Sequence, residues 1–455
     1  MITHSDTIVA IATPPGYGGV GIVRISGKLA PQILQSITGK ITKPRNAEYL
    51  AFNDQENQVI DMGLALYFPA PHSFTGEDVV ELQGHGGPVV LELLVKEILA
   101  LGARLAKPGE FSERAFLNDK IDLAQAEAIA DLINSASELA ARSAMRSLQG
   151  VFSETINQLV EKVLHLRMYV EAAIDFPEEE IDFLGDGIVS AKLNEIEKEL
   201  KQILDEAKQG ALLQEGINIV IAGKPNAGKS SLLNLLSGKD SAIVTDIPGT
   251  TRDVLKEYIA IDGVPAHIYD TAGLRDSDDI VEQEGVKRAK KQIELADMIL
   301  FVFDGAETDL RHCEDILTHY QQDILKQNKH VLVICNKIDK TDESPEVIQQ
   351  AQFSLIKISA KTGVGLDLLR KQILQTVGID KEVSGSFIAR QRHLTALQDA
   401  YQTLVKAKAQ FFKKAAGELL AEDLRYVQDY LGNITGQVTN DELLGNIFAN
   451  FCIGK

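Results

Sequence analysis

Gly223-Lys224-Pro225-Asn226-Ala227-Gly228-Lys229-Ser230 is a glycine-containing stretch with the spacing G-x-x-x-x-G-K-S. It follows an apolar run at 217–221 and precedes a helical pattern at 231–236. Glycines let backbone N–H groups approach a polyphosphate, Lys229 reaches the β and γ oxygens, and the Ser230 hydroxyl can bind Mg²⁺. The stretch therefore predicts a strand, a phosphate-binding loop and a helix whose N-terminal end faces the phosphates.

Three polar motifs follow predicted strands farther along the chain. They are Asp270-Thr271-Ala272-Gly273 after a strand at 266–269, Asn336-Lys337-Ile338-Asp339 after a strand at 331–335, and Ser359-Ala360-Lys361 after a strand at 355–358. The Asp339 carboxylate can accept two N–H bonds from guanine, whereas adenine presents different groups at those positions. The order and spacing of the motifs therefore predict a Ras-like α/β domain that binds GTP.

The residues expected to bind GTP come from the phosphate loop, the loop at 245–251 and these three motifs. They are Asn226, Ala227, Gly228, Lys229, Ser230, Ser231, Thr245, Asp246, Ile247, Pro248, Gly249, Thr250, Thr251, Asp270, Thr271, Ala272, Gly273, Asn336, Lys337, Asp339, Ser359, Ala360 and Lys361. Thr251 is the candidate second Mg²⁺ ligand beside Ser230, because a hydroxyl from this loop can complete the metal's shell, and Asp270 would lie in the outer shell.

The catalytic machinery differs from that of Ras-like GTPases at one position. In those enzymes, a Gln follows the motif that corresponds to Asp270-Thr271-Ala272-Gly273 and orients the attacking water. This chain has Leu274 at that position. Lys229 and Asn226 are candidate catalytic residues. Asn226 would act by binding a monovalent cation beside the phosphates, and the alternative is that it only shapes the turn. Glu282 is a candidate for positioning water, with an ordinary acid at a helix N-terminus as the alternative. Arg252 is either a catalytic cation supplied in cis or a surface charge.

Residues 1–118 alternate short β-branched runs with turn signals, which predicts an α+β domain. Strands are expected at 7–13, 20–27 and 78–84, and a helix at 89–101. Arg24 and Glu81 lie within apolar strands, where a charged residue is usually exposed on one strand face. His85, flanked by glycines, is expected to be a turn residue.

The apolar period changes to 3.6 residues from Asp122 onward, and Asp122-Leu123-Ala124-Gln125 resembles a capping box. Helices are expected at 151–173, 188–209, 393–416, 419–431 and 441–451. Because neither flank of the nucleotide module makes a convincing bundle alone, we expect one helical domain built from two chain segments, with the α/β domain inserted. The expected division is 1–118 for the N-terminal domain, 119–212 and 380–455 for the helical domain, and 213–379 for the GTPase domain.

Composition limits the classes of function. The 455 residues suffice for about three domains, and the formal charge of −19 argues against non-specific binding to nucleic acid, DNA included. Cys313, Cys335 and Cys452 are too widely spaced for a disulfide framework or a metal site. No signal peptide or membrane-spanning run is present in the sequence, so we expect a cytoplasmic protein without a membrane partner.

The chain resembles the MnmE (TrmE) family of tRNA-modification GTPases along nearly all of its length. The motifs that carry the resemblance are Ala12-Thr13-Pro14-Pro15-Gly16, the run from Gly19 to Gly27, Phe74-Thr75-Gly76-Glu77-Asp78, the run from Glu81 to Gly87, Pro108-Gly109-Glu110-Phe111, the run from Phe116 to Leu123, Gly249-Thr250-Thr251-Arg252-Asp253 and Phe451-Cys452-Ile453-Gly454-Lys455. The sequence departs from the family pattern at none of these motifs.

The resemblance implies an N-terminal domain that dimerises and binds 5-formyl- or methylene-tetrahydrofolate as a one-carbon donor. Its folate contacts would be Arg24, Glu81, Lys120 and Lys455. A folate role would replace the expectation that Arg24 and Glu81 are merely exposed, since a pterin edge suits a carboxylate and a glutamate tail suits cations. Cys452 would lie beside this site, either taking part in the chemistry or packing as a small buried residue.

The resemblance also implies GTP hydrolysis that depends on potassium. The K⁺ ligands would be Asn226, Thr245, Ile247 and Thr250, and Glu282 would orient the water. The family acts with the flavoprotein MnmG, in an expected heterotetramer, to add a carboxymethylaminomethyl or aminomethyl group to the wobble uridine of tRNA. The homodimer would contact tRNA through that complex.

A protein of another class remains an alternative. A non-enzymatic switch, such as a ribosome-assembly GTPase, would use GTP only to control binding. Such a protein is expected to carry a basic RNA-binding module beside the nucleotide domain, and the sequence contains no such module. The composition therefore favours the enzyme.

Overall fold

A computed structural model describes residues 6–175, 187–238, 256–270, 296–307, 330–341, 343–350, 353–379, 387–414, 417–437, 441–449 and 451–454. The chain divides into two compact units. The first unit comprises Met1–Ala130, Ser153–Leu164 and Arg425–Lys455, and the second comprises Asp131–Phe152 and His165–Leu424.

A six-stranded sheet organises the first unit, with the strand order β3-β4-β5-β2-β1-β6. The strands are β1 (Ile8–Ile11), β2 (Gly18–Ser26), β3 (Glu48–Asn53), β4 (Val59–Phe68), β5 (Val79–Gly86) and β6 (Arg104–Leu105). Helices α1 (Ala30–Thr38) and α2 (Pro88–Ala100) contribute Ile33, Leu34, Leu94 and Ile98 to a core with Val23, Ile25 and Leu82 of the sheet. The N-terminal α+β prediction is therefore confirmed.

A second apolar cluster lies around helix α3 (Glu110–Leu117), helix α4 (Leu123–Asn134) and helix α12 (Asp441–Ala449). Leu123, Ala126, Phe448 and Phe451 form its buried centre. The expected capping box at the start of α4 is confirmed, because Gln125 N donates to Asp122 Oδ1 over 2.9 Å and Asp122 N donates to Gln125 Oε1 over 3.0 Å. Helix α4 therefore begins where the sequence predicted.

A buried ionic network ties α3 to the sheet. Arg114 and Glu110 have side chains only 1% exposed and lie 3.0 Å apart. Arg114 Nη1 also donates to Glu77 Oε2 over 2.9 Å, and Arg104 Nη1 donates to Glu110 Oε2 over 2.8 Å. Burial alone would raise the pKa of Glu110, but the bonds from Arg104, the Lys107 N–H and Arg114 outweigh it and lower the pKa to about 2. Glu110 is therefore a carboxylate throughout the ordinary pH range.

Acid should destabilise the first unit through Glu110. Its folded-state pKa lies below the unfolded value, so its contribution is complete above about pH 4.5 and is lost as the pH falls towards about 2. Glu110→Gln should lower the free energy of unfolding by about 3 kcal/mol at pH 7, since it removes the buried carboxylate that Arg104 and Arg114 share and leaves them only their bonds to Asp6 and Glu77. The difference from the unsubstituted protein should shrink as the pH falls through that window. Urea unfolding followed by circular dichroism at pH 7, 4 and 2.5 measures both quantities.

Glu113→Gln is the matched control, because it removes the same charge from α3 at a residue outside this network. It should change the free energy of unfolding by less than about 0.5 kcal/mol at every pH. If the Glu110→Gln difference stayed constant from pH 7 to pH 2.5, the account of the network would be wrong.

A seven-stranded sheet organises the second unit, with the order β12-β13-β11-β10-β7-β9-β8. The strands are β7 (Ile217–Ala222), β8 (Lys256–Ile261), β9 (Val264–Asp270), β10 (Met298–Asp304), β11 (His330–Asn336), β12 (Val347–Gln349) and β13 (Ser354–Lys357). The five strands from β13 to β9 in this order are parallel, and the edge strands β8 and β12 are antiparallel. Parallel strands place their carboxyl ends along one edge, where ligands of open α/β sheets bind.

Helices of the second unit include α8 (Lys229–Ser237) and α9 (Leu366–Thr376), which contribute Leu232, Leu236, Leu369 and Ile373 to the core under the sheet. The other helices of the described residues are α5 (Glu138–Leu148), α6 (Val151–Asp175), α7 (Ile188–Glu215), α10 (Gln391–Lys414) and α11 (Gly417–Thr435). Within the described part of the chain, none of the helices combines the length and apolar composition needed to cross a bilayer. The predicted fold, mixed α/β sheets with a helical domain, is therefore confirmed.

Two predictions about local structure are wrong. Helix α7 continues to Glu215 instead of ending at residue 209. Gly210 lies inside this helix, where a Cβ would lie only 2.6 Å from Phe387 O. This glycine therefore allows close packing and does not end the helix. His85 lies in strand β5 and not in a turn. Its backbone N and its Nδ1 contact the carboxylate of Asp61. This carboxylate replaces the backbone carbonyl of a partner strand, because the β4–β5 pairing has already ended at Gln83.

Some predicted positions lie outside the described residues. They are Cys313, Thr245, Asp246, Ile247, Pro248, Gly249, Thr250, Thr251, Arg252, Thr271, Ala272, Gly273, Leu274, Glu282 and Lys455. The expected boundaries between the three domains stay a prediction, since the two compact units are not the same division of the chain.

Candidate guanine-nucleotide site

The phosphate loop connects β7 to α8 at the carboxyl edge of the seven-stranded sheet. Gly223 has φ +142° and Gly228 has φ +96°. A Cβ on Gly223 would lie 2.0 Å from Val302 O, and one on Gly228 would lie 2.2 Å from Asn336 Nδ2. Both glycines of the motif are therefore required by backbone conformation and by space.

The loop presents a cation and uncapped helix amides. Lys229 Nζ donates to Gly223 O over 2.9 Å and to Lys224 O over 3.0 Å, so its side chain folds over the loop. No side chain among the described residues caps the N-terminus of α8, and Ser230 and Ser231 are exposed there. Uncapped N–H groups and a flexible ammonium at a helix N-terminus form a binding site for phosphate.

Asn336 joins the base-recognition loops to the phosphate loop. Its side chain is 2% exposed at the end of β11. Its Nδ2 donates to Ala227 O over 2.8 Å, and its Oδ1 accepts from Ala360 N over 2.8 Å. Every polar atom of this amide therefore has a partner in the protein, and Asn336 holds three loops together at one place.

Asp339 is the predicted base-recognition residue. It follows β11 in a short 3₁₀ turn and is exposed, and Ser359 Oγ donates to its Oδ1 over 2.6 Å. That bond, aided by the charges of Lys361 and Lys340, lowers the pKa of Asp339. A carboxylate ionised at neutral pH can only accept hydrogen bonds, which suits the two N–H groups on one edge of guanine.

Asp304, the last residue of β10, belongs to the site, although sequence reasoning missed it. Its side chain is 7% exposed, and Lys337 Nζ donates to its Oδ2 over 2.6 Å. The same Nζ donates to Asn226 O over 2.6 Å. The available signal was an aspartate at the carboxyl end of an apolar run, the end at which parallel strands place functional residues.

Asn226 combines an unusual backbone conformation with an exposed side chain. Its backbone φ of +63° is disfavoured for a residue with a side chain. Its side chain is exposed and makes no hydrogen bond with any part of the chain that the structure describes. The role of Asn226 as a K⁺ ligand stays a prediction. Asp270 ends β9 at the same edge of the sheet. Only its backbone is described, and its place in the Mg²⁺ outer shell stays a prediction.

The predicted folate residues Arg24 and Glu81 lie opposite each other on β2 and β5. Arg24 Nε donates to Glu81 Oε1 over 2.9 Å, and the two side chains are 20% and 15% exposed. They are therefore paired with each other and are not ordinary exposed charges. The Arg24 guanidinium also lies over the Phe74 and Phe111 rings, 5.9 and 5.8 Å from their centroids.

The C-terminal segment reaches the same place in the first unit. Arg24 Nη1 donates to Gly454 O over 3.2 Å, and Gly109 N donates to Cys452 O over 3.4 Å. The Cys452 side chain is exposed, which contradicts the alternative of a small buried residue. Lys120 packs its stem against Gly76 and lines a cavity of about 500 Å³ that neither Arg24 nor Glu81 lines. The structure thus brings Arg24 and Glu81 together with the C-terminal segment, while Lys120 also faces a separate cavity.

Solved structures resemble the chain only weakly. They include a variant of Era from Aquifex aeolicus bound to GDP·AlF4⁻ (31% identity, TM-score 0.28, 41% of this chain and 66% of that chain) and a GTP-binding protein from Sulfolobus solfataricus in complex with GDP (19%, 0.27, 48% and 66%). The G domain of the iron transporter FeoB from T. maritima is a third (22%, 0.26, 35% and 98%). The chain thus spans just under two thirds of the first two proteins, and likenesses this small support no functional argument.

Two sequence families match the chain over long stretches. The family described as GTP-binding protein TrmE N-terminus matches residues 7–120. The MnmE helical domain matches residues 123–452, which is more than half of the 455 residues. The chain therefore belongs to the MnmE (TrmE) family of tRNA-modification GTPases.

Proposed function

We propose that the chain binds GTP with Mg²⁺ at the carboxyl edge of the seven-stranded sheet and hydrolyses it by in-line attack of water, without a covalent intermediate. The observation that supports this most strongly is the Asn336 amide, which bonds to the phosphate loop at Ala227 and to the guanine loop at Ala360. These two bonds support a single site for the phosphate and base contacts. GTP turnover by the full chain, against ATP, tests the proposal.

The residues of this chain divide the work of hydrolysis. Lys229 leaves the carbonyls of Gly223 and Lys224 to bind the β and γ oxygens. Ser230 and Thr251 would hold Mg²⁺, which neutralises charge on the transferred phosphoryl group. Asp339 orients the base, and Glu282 would hold the attacking water in line, since Leu274 has no group that can do so.

We infer that a K⁺ ion supplies the remaining positive charge, held by Asn226 with Thr245, Ile247 and Thr250. The exposed, uncommitted amide of Asn226 supports this. Hydrolysis should then be about 10²-fold faster in KCl than in NaCl at equal ionic strength. Asn226→Gly should remove most of that difference, and glycine is chosen because it tolerates the φ of +63°. Phosphate release under single turnover is the measurement.

GDP affinity in NaCl provides the control for Asn226→Gly, because a loop that still forms should bind GDP within about threefold of the original protein. Lys224→Ala, a change at an exposed neighbour in the same loop, should leave the K⁺ dependence intact. Equal hydrolysis rates in the two salts for the unsubstituted protein would contradict the potassium proposal.

We further propose that the first unit binds a tetrahydrofolate one-carbon donor at Arg24 and Glu81, with Lys120 and Lys455 as cations for its tail. The pairing of Arg24 with Glu81 beside Phe74 and Phe111 supports a flat, polar-edged ligand. Calorimetric titration with 5-formyl-tetrahydrofolate should detect binding that Glu81→Gln weakens at least about tenfold, because a charge-assisted bond is lost.

Glu92→Gln removes an exposed carboxylate from α2 and serves as the control, with unchanged folate affinity expected. Failure of the unsubstituted protein to bind 5-formyl-tetrahydrofolate would remove the folate assignment and leave the GTPase intact.

We propose that the homodimer acts with the flavoprotein MnmG to modify the wobble uridine of tRNA in the cytoplasm. The net charge of −19 supports tRNA contact through a partner and not through this chain alone. Nucleoside analysis of tRNA from cells lacking the protein should show loss of the carboxymethylaminomethyl or aminomethyl group. Unchanged wobble uridines would favour the rival reading, a GTP-controlled switch that modifies no RNA.

A further inference from the structure

We propose that Asp304 is a positioning residue for the guanine nucleotide, acting through Lys337 to hold the base-recognition loop and the phosphate loop together at Asn226. The inference rests on the proposed binding of guanine nucleotides and adds a residue from a strand that carries none of the sequence motifs. It concerns retention of the nucleotide and does not require K⁺.

The contacts form a continuous chain across three segments of the second unit. Asp304 is the register partner of Asn336, so its side chain lies directly beside the start of the base-recognition loop. Its Oδ1 accepts from Ala306 N over 3.0 Å, and its Oδ2 accepts from Lys337 Nζ over 2.6 Å. The same ammonium donates to Asn226 O over 2.6 Å. One lysine therefore joins the end of β10 to the phosphate loop.

Two of the three residues in this connection have strained backbones. Lys337 has φ +70° and Asn226 has φ +63°, and neither is a glycine. Side chains disfavour this conformation, which persists only where the surroundings impose it. Since Lys337 and Asn226 are bonded to each other, the bond that holds one also holds the other. Loss of the anchor at Asp304 should release both.

Electrostatics explain why the anchor is an acid. Burial alone would raise the pKa of Asp304, but the bonds from Lys337 and the Ala306 N–H and the charges of Lys337 and Lys340 outweigh it, so the pKa is lowered. The carboxylate is therefore charged at neutral pH, and its bond to the ammonium is short and charge-assisted.

A general stabilising role at the strand end is the competing explanation, and the chain offers a matched control for it. Asp297 lies next to the first residue of β10, at the opposite end of the same strand, where its Oδ2 accepts from Asn218 N over 2.8 Å and from Asn218 Nδ2 over 3.2 Å. It is also an acid that joins β10 to β7, and it is far from the loops. Removing Asp297 tests whether loosening the strand is enough to change nucleotide retention.

The experiment measures the dissociation rate of fluorescent N-methylanthraniloyl-GDP from the full chain in NaCl buffer with Mg²⁺, chased with unlabelled GDP. Asp304→Ala should accelerate dissociation about tenfold, and Asp304→Asn, which keeps an acceptor for Ala306 N, about threefold. Lys337→Ala should act at least as strongly. The double variant should be no faster than Lys337→Ala alone, because both changes break the same connection.

Asp297→Ala should dissociate GDP within about twofold of the original rate. The inference is overturned if Asp304→Asn is as slow as the original protein, if the Asp304→Ala and Lys337→Ala effects multiply in the double variant, or if Asp297→Ala accelerates dissociation equally. If Asp304→Ala fails to fold, Asp304→Asn, alone and combined with Lys337→Ala, provides the same test. Absence of GDP binding by the unsubstituted chain would overturn the proposed function itself, an outcome distinct from these three.

Discussion

Lys229→Ala should reduce GTP hydrolysis about 10²- to 10³-fold, the range expected when a charged donor to a transferring phosphoryl group is removed. The side chain now bonds to the carbonyls of Gly223 and Lys224, so the loop is already shaped around its ammonium. With GTP bound, the same ammonium would neutralise the β and γ oxygens as charge develops. Single-turnover release of phosphate from GTP measures the rate.

Lys224→Ala is the control, because it removes an equal charge from an exposed position in the same loop while retaining the backbone carbonyl that Lys229 contacts. Its rate should stay within about twofold of the original. A Lys229→Ala protein that hydrolysed GTP within fivefold of the original rate would show that the loop is not the catalytic phosphate site.

Asp339→Asn should weaken GDP binding about 10²- to 10³-fold and should bring xanthosine diphosphate to comparable or better affinity. The exposed carboxylate would accept N–H bonds from guanine, and an amide in its place would set a donor against the guanine amino group. Xanthine carries a carbonyl there, so it restores the match. Ser359 Oγ, 2.6 Å from Asp339 Oδ1, should hold the amide in the same orientation. Equilibrium titration with both nucleotides measures the switch.

Asp367→Asn changes an exposed carboxylate on α9 and should leave the preference for guanine unaltered. Loss of GDP binding by Asp339→Asn without any gain for xanthosine diphosphate would contradict direct base recognition by this carboxylate.

The phosphate loop was predictable because its determinants are local. Strand β7, the glycines at 223 and 228 and helix α8 all lie within 21 residues, and each has its own sequence signal. The role of Asn336 as a connector was not predictable, since its partners Ala227 and Ala360 lie 109 and 24 residues away. Asp304 was missed for the same reason, because only the parallel register of β10 and β11 brings it beside Asn336.

The N-terminal sheet was harder to predict. In strand β4, buried and exposed residues alternate cleanly over only part of its length. Periodicity therefore gave no clear signal for β4 or for its neighbour β3. The pairing of Arg24 with Glu81 is a cross-strand contact between residues 57 positions apart. Sequence alone therefore left exposure and ligand contact as alternatives for these two residues.

Helix ends show how packing overrides local signals. Gly210 is typical of a helix end, yet α7 continues through it. A glycine is needed there because any side chain would collide with the backbone at Phe387. The helix ends instead at Gly216, whose φ is +77°. The distinction depends on a segment more than 170 residues away, which no local pattern encodes.

The central claim is that this chain holds a guanine nucleotide between the phosphate loop and the Asp339 loop. Calorimetric titration of the full chain with GDP and with ADP, in the presence of Mg²⁺, tests it most directly. The account predicts that GDP binds at least about 10³-fold more tightly than ADP, because the site is built to bond to groups that adenine lacks. Equal affinity for the two nucleotides, or tighter binding of ADP, would contradict it.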